Sequence, residues 1–199
     1  MDITWLGENS FKINDEIINI IVNPSNKTID PSTFTEETVL VFTDADNKYD
    51  TKHTKVDSPG EYEIHNASIH GVANSVVKDD SRSISTCYRI ESRGISIAVI
   101  GTIGSPFDSE ALSVLASSHI VLISPENKNI DSEILANTIR SVEPRKIIIS
   151  GFDKNSKTPS KSLDTVIKVL GLKDYEPRNK ASISMSSFGD SQEIIILEN

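Results

Sequence analysis

Five carboxylates could together hold a cation or move a proton. Asp44, Asp46, Asp50 and Asp57 follow the apolar run 38–42, and Glu8 follows the first strand-like run. Hard oxygen donors of this kind suit Mg²⁺ or Ca²⁺. Counted as a calcium loop from Asp44, the pattern fails at three places. Lys48 stands at position five, Tyr49 rather than Gly at position six, and Lys55 rather than Glu at position twelve. Lys48 also puts a cation where a second metal charge would sit. Carboxylates are mostly exposed surface residues, so solvated loop residues are the plainer reading of this cluster.

The four histidines, at 53, 65, 70 and 119, show no paired ligand spacing. His65 and His70 lie in strand-like sequence at a spacing that points them to opposite faces. His53, between Lys52 and Thr54, reads as a solvated loop, and His119, opening an apolar run, reads as structural. Cys87 sits inside a strand-like run without an activating neighbour, as a buried thiol does. Ser10 and Ser150 carry hydroxyls, but no Gly-x-Ser-x-Gly elbow surrounds either. Gly101-Thr102-Ile103-Gly104 is too short for a phosphate loop. Trp5 reads as core.

Composition narrows the partners. The 199 residues suffice for one substantial domain, expected to span 1–199. With 20 basic and 29 acidic side chains, the formal charge of -9 argues against broad contact with nucleic-acid phosphates. One cysteine forms no intrachain disulfide and fits a reducing compartment. No signal peptide is evident, and no apolar stretch approaches the roughly 20 residues that span a bilayer. The expectation is a cytoplasmic protein without a nucleic-acid or membrane partner; a homo-oligomer stays open.

The elements that must position these residues fall into two halves. Residues 2–6, 10–13, 16–22 and 38–42 read as strands, the last apolar enough to be buried on both faces. Residues 62–72 read as two strands with a tight bend at His65-Asn66. Residues 86–90 and 95–100 flank a hairpin turn at Glu91-Ser92-Arg93-Gly94. Later, helices at 109–117, 131–142 (with Asp131 as N-cap) and 162–170 (stopped by Gly171) alternate with strands at 119–123, 146–150 and 193–197. The polar stretch 153–161 reads as a surface loop, with a cleft-rim role as the alternative. Such a pattern predicts mixed sheets with helices packed outside.

Several segments resemble a known family. Ile3-Thr4-Trp5-Leu6-Gly7, with Phe11 and Ile13, resembles the opening of small metallo-β-lactamase-fold hydrolases. Pro59-Gly60-Glu61-Tyr62-Glu63 resembles a signature of one bacterial branch of that superfamily. The stretch from Ile139 to Ile149 is similar to the helix and strand that precede its last metal-binding histidine. The resemblance implies an α+β or α/β chain folded as a compact four-layer αββα sandwich, two sheets face to face with helices outside. It also implies, in active members, one or two metal ions, usually zinc, at the edge of the two sheets. A His-x-His-x-Asp-His loop and later His and Asp residues hold them, and the metal lowers the pKa of a bound water towards about 7.

Carried over residue by residue, the ligands are replaced. Asp44 and Asp46 stand for the first two histidines, Lys48 for the aspartate and Tyr49 for the third histidine. Glu8 replaces an N-terminal histidine, Thr102 the aspartate after Gly101, and Phe152 the histidine after the last buried strand. Glu8, Asp44, Asp46, Lys48, Tyr49, Thr102 and Phe152 are thus the expected vestigial cleft. The leading expectation is a non-catalytic protein that has lost the metal site, needs no cofactor, and binds a partner or small ligand. Two alternatives stay open. One is a hydrolase whose rebuilt carboxylate site, Asp44 and Asp46 with Glu8, holds a divalent cation. The other is a structural subunit of an oligomer.

Overall fold

The computed structural model describes residues 1–25, 27, 29–44, 49, 51–78, 81–125 and 132–199. Asp46, Lys48, Asp50 and Asp131 lie outside the described residues. In chain order the elements are β1 (Asp2–Gly7), β2 (Ser10–Asn14), β3 (Asn19–Val22), β4 (Thr38–Val41), β5 (Thr54–Val56), β6 (Gly60–Ile64), β7 (Ala67–Lys78), β8 (Ser81–Ser92) and β9 (Ile95–Ile100). There follow α1 (Ser109–Leu115), β10 (Ile120–Ile123), α2 (Ser132–Ser141), β11 (Lys146–Asp153), β12 (Thr158–Pro159), α3 (Lys161–Leu170), β13 (Lys180–Ser182) and β14 (Glu193–Glu198).

Two sheets result. The first runs β13-β1-β2-β3-β4-β5; the second runs β12-β11-β10-β9-β8-β7-β6, with β14 also on β11. Pairing is parallel among β3, β4 and β5 and among β9, β10, β11 and β14, and antiparallel elsewhere. The period of two along each strand decides what lies between the sheets. Ile20, Val22, Val39 and Val41 face Tyr88, Ile90, Ile97, Val99, Leu122 and Ile148 in the central core. The alternate residues Ile21, Leu40 and Phe42 face outward against Ile29, Phe34 and Tyr49. On the other outer face, Val121, Ile123, Ile147 and Ile149 lie under Leu115 of α1, Leu135 and Ile139 of α2, and Leu163 and Val166 of α3. Strands buried on both faces explain the unbroken apolar runs. Two mixed sheets with helices outside form the α+β sandwich that the resemblance implies. Between β3 and β4 the helical piece among the described residues is a single 3₁₀ turn, Pro31–Thr33.

Turn chemistry fixes the registers. The two-residue loops His65-Asn66 (φ 49° and 60°) and Arg93-Gly94 (φ 53° and 78°) have positive φ at both central positions, the requirement of a type I′ hairpin. α3 starts where Ser160 Oγ accepts from the Leu163 amide at 3.1 Å and stops at Gly171 (φ 75°). The expected strand 16–22 shortens to β3 because Asp15 Oδ1 accepts from the Ile17 and Ile18 amides, at 2.8 and 3.1 Å, and closes a turn there. β7 and β8 extend well past the expected 72 and 86 into polar sequence, where Ile84 is left exposed and the alternation that marks a strand is weak. The stretch 153–161, expected to be a surface loop, instead contains the end of β11, β12 and the cap of α3. Among the described residues, no helix is long and apolar enough to cross a membrane.

Candidate functional site

The carboxyl ends of β4, β9, β10 and β11 meet the β1–β2 turn at one end of the sandwich. Strand ends leave backbone groups without ladder partners, so polar residues collect there and open sheets bind ligands there. Thr43 and Asp44 follow β4, Gly101 and Thr102 follow β9, Ser124 follows β10, and Ser150 lies near the end of β11. A cavity of about 20 Å³ there is lined by Asn23, Thr43, Asp44, Gly101, Thr102 and Ser124, among others. That is room for about one water. Asn9 and Ser124 also line an adjoining open groove of about 680 Å³ that takes in Trp5, Glu8, Ser150 and Asp153.

Asn23 organises the cavity wall. Its Oδ1 accepts from the Thr43 amide at 2.8 Å, and its Nδ2 donates to Thr43 Oγ1 at 2.9 Å and to the Asn9 carbonyl at 3.4 Å. Ser10 Oγ donates to the Asn23 carbonyl at 2.5 Å. The backbone of Asn23 is left-handed (φ 47°), a conformation that Asn tolerates better than most residues. Across the cavity the two sheets are pinned together. The Thr43 carbonyl accepts from the Thr86 amide at 2.6 Å and from Ser85 Oγ at 3.0 Å. Deeper in, the Tyr88 hydroxyl donates to the Phe42 carbonyl at 2.9 Å, and burial pushes this phenol above its ordinary pKa. Gly101 fits tightly: a Cβ there would lie 2.5 Å from Ser85 Oγ, 2.8 Å from Thr43 Cβ and 2.8 Å from the Thr86 carbonyl oxygen.

The residues singled out by the resemblance part company. Asp44 and Thr102 line the cavity together. Glu8 lines the groove, exposed; its carbonyl accepts from Trp5 Nε1 at 2.9 Å and its carboxylate lies 3.8 Å from Lys27 Nζ. Tyr49 packs against Phe34 and the outward face of the first sheet, away from the cavity lining. Phe152 packs against Tyr175 on the helix side of the second sheet, ring centroids 6.3 Å apart, and leaves the cleft unfilled. Asp46 and Lys48 lie outside the described residues. The histidines scatter: His53 against Phe34, His65 in the β6–β7 turn, His70 3.7 Å from Glu61, and His119 at the start of β10 with its Nδ1 accepting from the Ser96 amide at 3.1 Å. Cys87 is wholly buried; burial pushes its thiol up to about 12, the Asp44 charge adds to the rise, and a hydrogen bond from Gly101 opposes it.

Sequence reasoning passed over Asn23 and Ser124 and placed Trp5 in the core alone. The half-buried Trp5 packs on the central core and also lines the groove. The available signal was position: Asn23-Pro24 and Ser124-Pro125 each follow an apolar strand, where a polar residue reaches the sheet's end. The reading of 153–161 as an ordinary surface loop is also corrected, because Asp153, Ser156, Thr158 and Ser160 line the groove.

The resemblance implies zinc in this cleft. Zinc takes thiolate, imidazole and carboxylate ligands. Among the described residues, no three His, Cys, Asp or Glu side chains come together to hold a metal ion. The described cavity lining offers hydroxyls, amides and the one carboxylate of Asp44. These residues do not fit zinc, nor the multiple carboxylates that a dedicated Ca²⁺ cage needs.

Comparisons with known proteins agree with the fold. A family described as beta-lactamase superfamily domain matches residues 2–149. A protein of Thermotoga maritima named as a Zn-dependent hydrolase of the metallo-β-lactamase superfamily superposes with a TM-score of 0.74 at 17% identity, covering 99% of this chain and 98% of that one. A protein of Parabacteroides distasonis named as a metal-dependent hydrolase gives 0.64 at 14% identity, covering 98% and 91%. A metallo hydrolase of Ignicoccus hospitalis gives 0.63 at 11%, covering 92% and 99%. At these identities the likeness is one of fold. No curated protein matches the chain.

Proposed function

We propose that this chain, which belongs to the β-lactamase superfamily, is a ligand-binding protein built on a hydrolase scaffold, with no metal-dependent hydrolysis at its cleft. The observation that carries the reading is the chemistry of the cleft. The described lining offers the amide and hydroxyls of Asn23, Thr43, Thr102, Ser124 and Ser150 beside the isolated carboxylates Asp44 and Glu8, and no three His, Cys, Asp or Glu side chains come together among the described residues. A hydroxyl neither lowers the pKa of water nor replaces the Lewis acid that makes hydroxide at neutral pH. It does bind ligands well. Ser124 Oγ and Ser150 Oγ are buried without a hydrogen-bond partner among the described residues. Each orphan costs about 1–3 kcal/mol that a partner offsets.

The rival reading is a hydrolase using Asp44 and Asp46 on a divalent cation. The two separate in one assay. Purified protein is incubated with lactone, phosphomonoester and phosphodiester substrates in the presence of Zn²⁺, Mn²⁺ or Mg²⁺. The expected result is no turnover beyond that of Asp44→Ala. Metal-dependent turnover that Asp44→Ala abolishes overturns the binding reading in favour of the hydrolase.

A further inference from the structure

The open groove points to the kind of ligand, an inference that rests on the binding reading above. Its volume, about 680 Å³, lies within the roughly 300–1,000 Å³ of small-molecule sites. Trp5, the chain's one tryptophan, contributes its half-buried indole to the wall. Its Nε1–H is committed to the Glu8 carbonyl at 2.9 Å, so the ring offers a ligand apolar surface rather than a donor. Ser150 is fully buried, and its Oγ, like that of Ser124, has no hydrogen-bond partner among the described residues. Asn9 adds an amide.

Among the described residues lining the groove, the charges are all of one sign. Glu8 and Asp153 are the ionisable residues lining it, and no described Lys or Arg does. Lys27 sits at 3.8 Å from Glu8 but points into solvent, its side chain 84% exposed. Asp153 is held ionised, because the Ser156 and Asn155 amides donate to it and keep its carboxyl below the ordinary range. Among the described residues, an anionic ligand would meet two carboxylates and no lining cation. Hydroxyls suit the same surface. They donate to carboxylates in charge-assisted bonds and exchange bonds in both directions with serines and asparagine. A flat apolar ring face completes the match to a sugar ring, which is apolar on its C–H face and polar around its edge.

We infer that this groove binds a neutral polyhydroxylated ligand, a sugar or a sugar-like polyol. Trp5 supplies the stacking surface, Ser124, Ser150 and Asn9 the neutral hydrogen bonds, and Glu8 and Asp153 the charged acceptors. The same two carboxylates select against phosphorylated forms.

The lone tryptophan makes the test direct. Trp5 emission is followed while the full chain is titrated with glucose, maltose, cellobiose and glucose 6-phosphate, and calorimetry repeats each titration. At least one neutral sugar is expected to saturate the signal, with glucose 6-phosphate bound at least about tenfold more weakly than glucose, roughly 1.4 kcal/mol. Ser150→Ala is expected to weaken the bound sugar by about tenfold while leaving the melting temperature unchanged or higher, since its Oγ has no hydrogen bond to lose among the described residues. A purely structural serine would give the opposite pair of results. If no neutral sugar gives a saturable signal by either method, or if glucose 6-phosphate binds as tightly as glucose, the ligand class is overturned. The binding reading itself fails on a different result, the metal-dependent turnover described above.

Discussion

Replacing Asn23 by alanine removes two things at once, and the structure gives the size of each. The Asn23 side chain is the partner of the Thr43 amide at 2.8 Å, and Thr43 is only 2% exposed. An N–H left without a partner at that depth costs about 1–3 kcal/mol. Alanine must also adopt the left-handed backbone of position 23 (φ 47°), which costs a residue with a Cβ about 1 kcal/mol more than asparagine. The sum is about 2–4 kcal/mol, or a fall in melting temperature of about 4–16 °C for a chain of this size. Asn23→Gly separates the parts. It loses the same hydrogen bonds but relieves the backbone, so it should be more stable than Asn23→Ala by roughly 1 kcal/mol, less the entropy that glycine adds to the unfolded chain. Urea unfolding at neutral pH, followed by far-ultraviolet circular dichroism, measures both. An Asn23→Ala variant within about 0.5 kcal/mol of the parent, the range of an ordinary surface change, would refute the role given to Asn23 as the brace of the cavity wall.

Three further outcomes follow from the same end of the molecule and its opposite pole. Gly101→Ala drives a methyl into Ser85, Thr43 and the Thr86 carbonyl and should cost about 1–3 kcal/mol; an unchanged melting temperature would show the two sheets to be less tightly joined there. Cys87, wholly buried with its thiol pushed up to about 12, should resist iodoacetamide at pH 8 until the chain is unfolded, and fast labelling of the folded protein would contradict this. Asp15 is raised by burial, yet hydrogen bonds from Ser92 Oγ and the Ile17 and Ile18 amides outweigh that and leave it below its ordinary value of 3.8. A lowered carboxyl stabilises the fold above the unfolded-state pKa and loses that contribution as pH falls through the folded value. Ser92→Ala should therefore cost about 1 kcal/mol at pH 7, discounted for partial exposure, and the difference from the parent should shrink below pH 3.8. A difference that stays constant down to acid pH would refute the linkage.

The sandwich was legible because its strands and turns obey local rules. Runs such as 39–42 and 147–149 are apolar at every position, which only burial on both faces explains, and Arg93-Gly94 announces its hairpin. The long arms of β7 and β8 were not legible, since Asn74 to Ser85 mixes polar and apolar residues without a clean period of two. At the site, the alignment assigned Asp44, Thr102, Tyr49 and Phe152 alike to the cleft, whereas Asp44 and Thr102 line the cavity and Tyr49 and Phe152 pack elsewhere. Those two assignments were made by position along the chain, and side-chain direction depends on the strand's local twist and bulge. The pairing of β11 with β14 shifts register between Ile149 and Phe152, and Phe152 packs on the helix side. Asn23 and Ser124 escaped notice because hydroxyls and amides carry no ligand signature in sequence. Their meaning comes from burial and from the partners that they have or lack.

The most direct test of a binding role at this cleft is elemental mass spectrometry of the full chain, purified without a metal-affinity tag and without chelators. The expected result is less than about a tenth of an equivalent of zinc, manganese, magnesium or calcium, the level of adventitious surface binding. A near-integral content of any one of these, lost in Asp44→Ala, would contradict it and place a carboxylate metal site in the cleft.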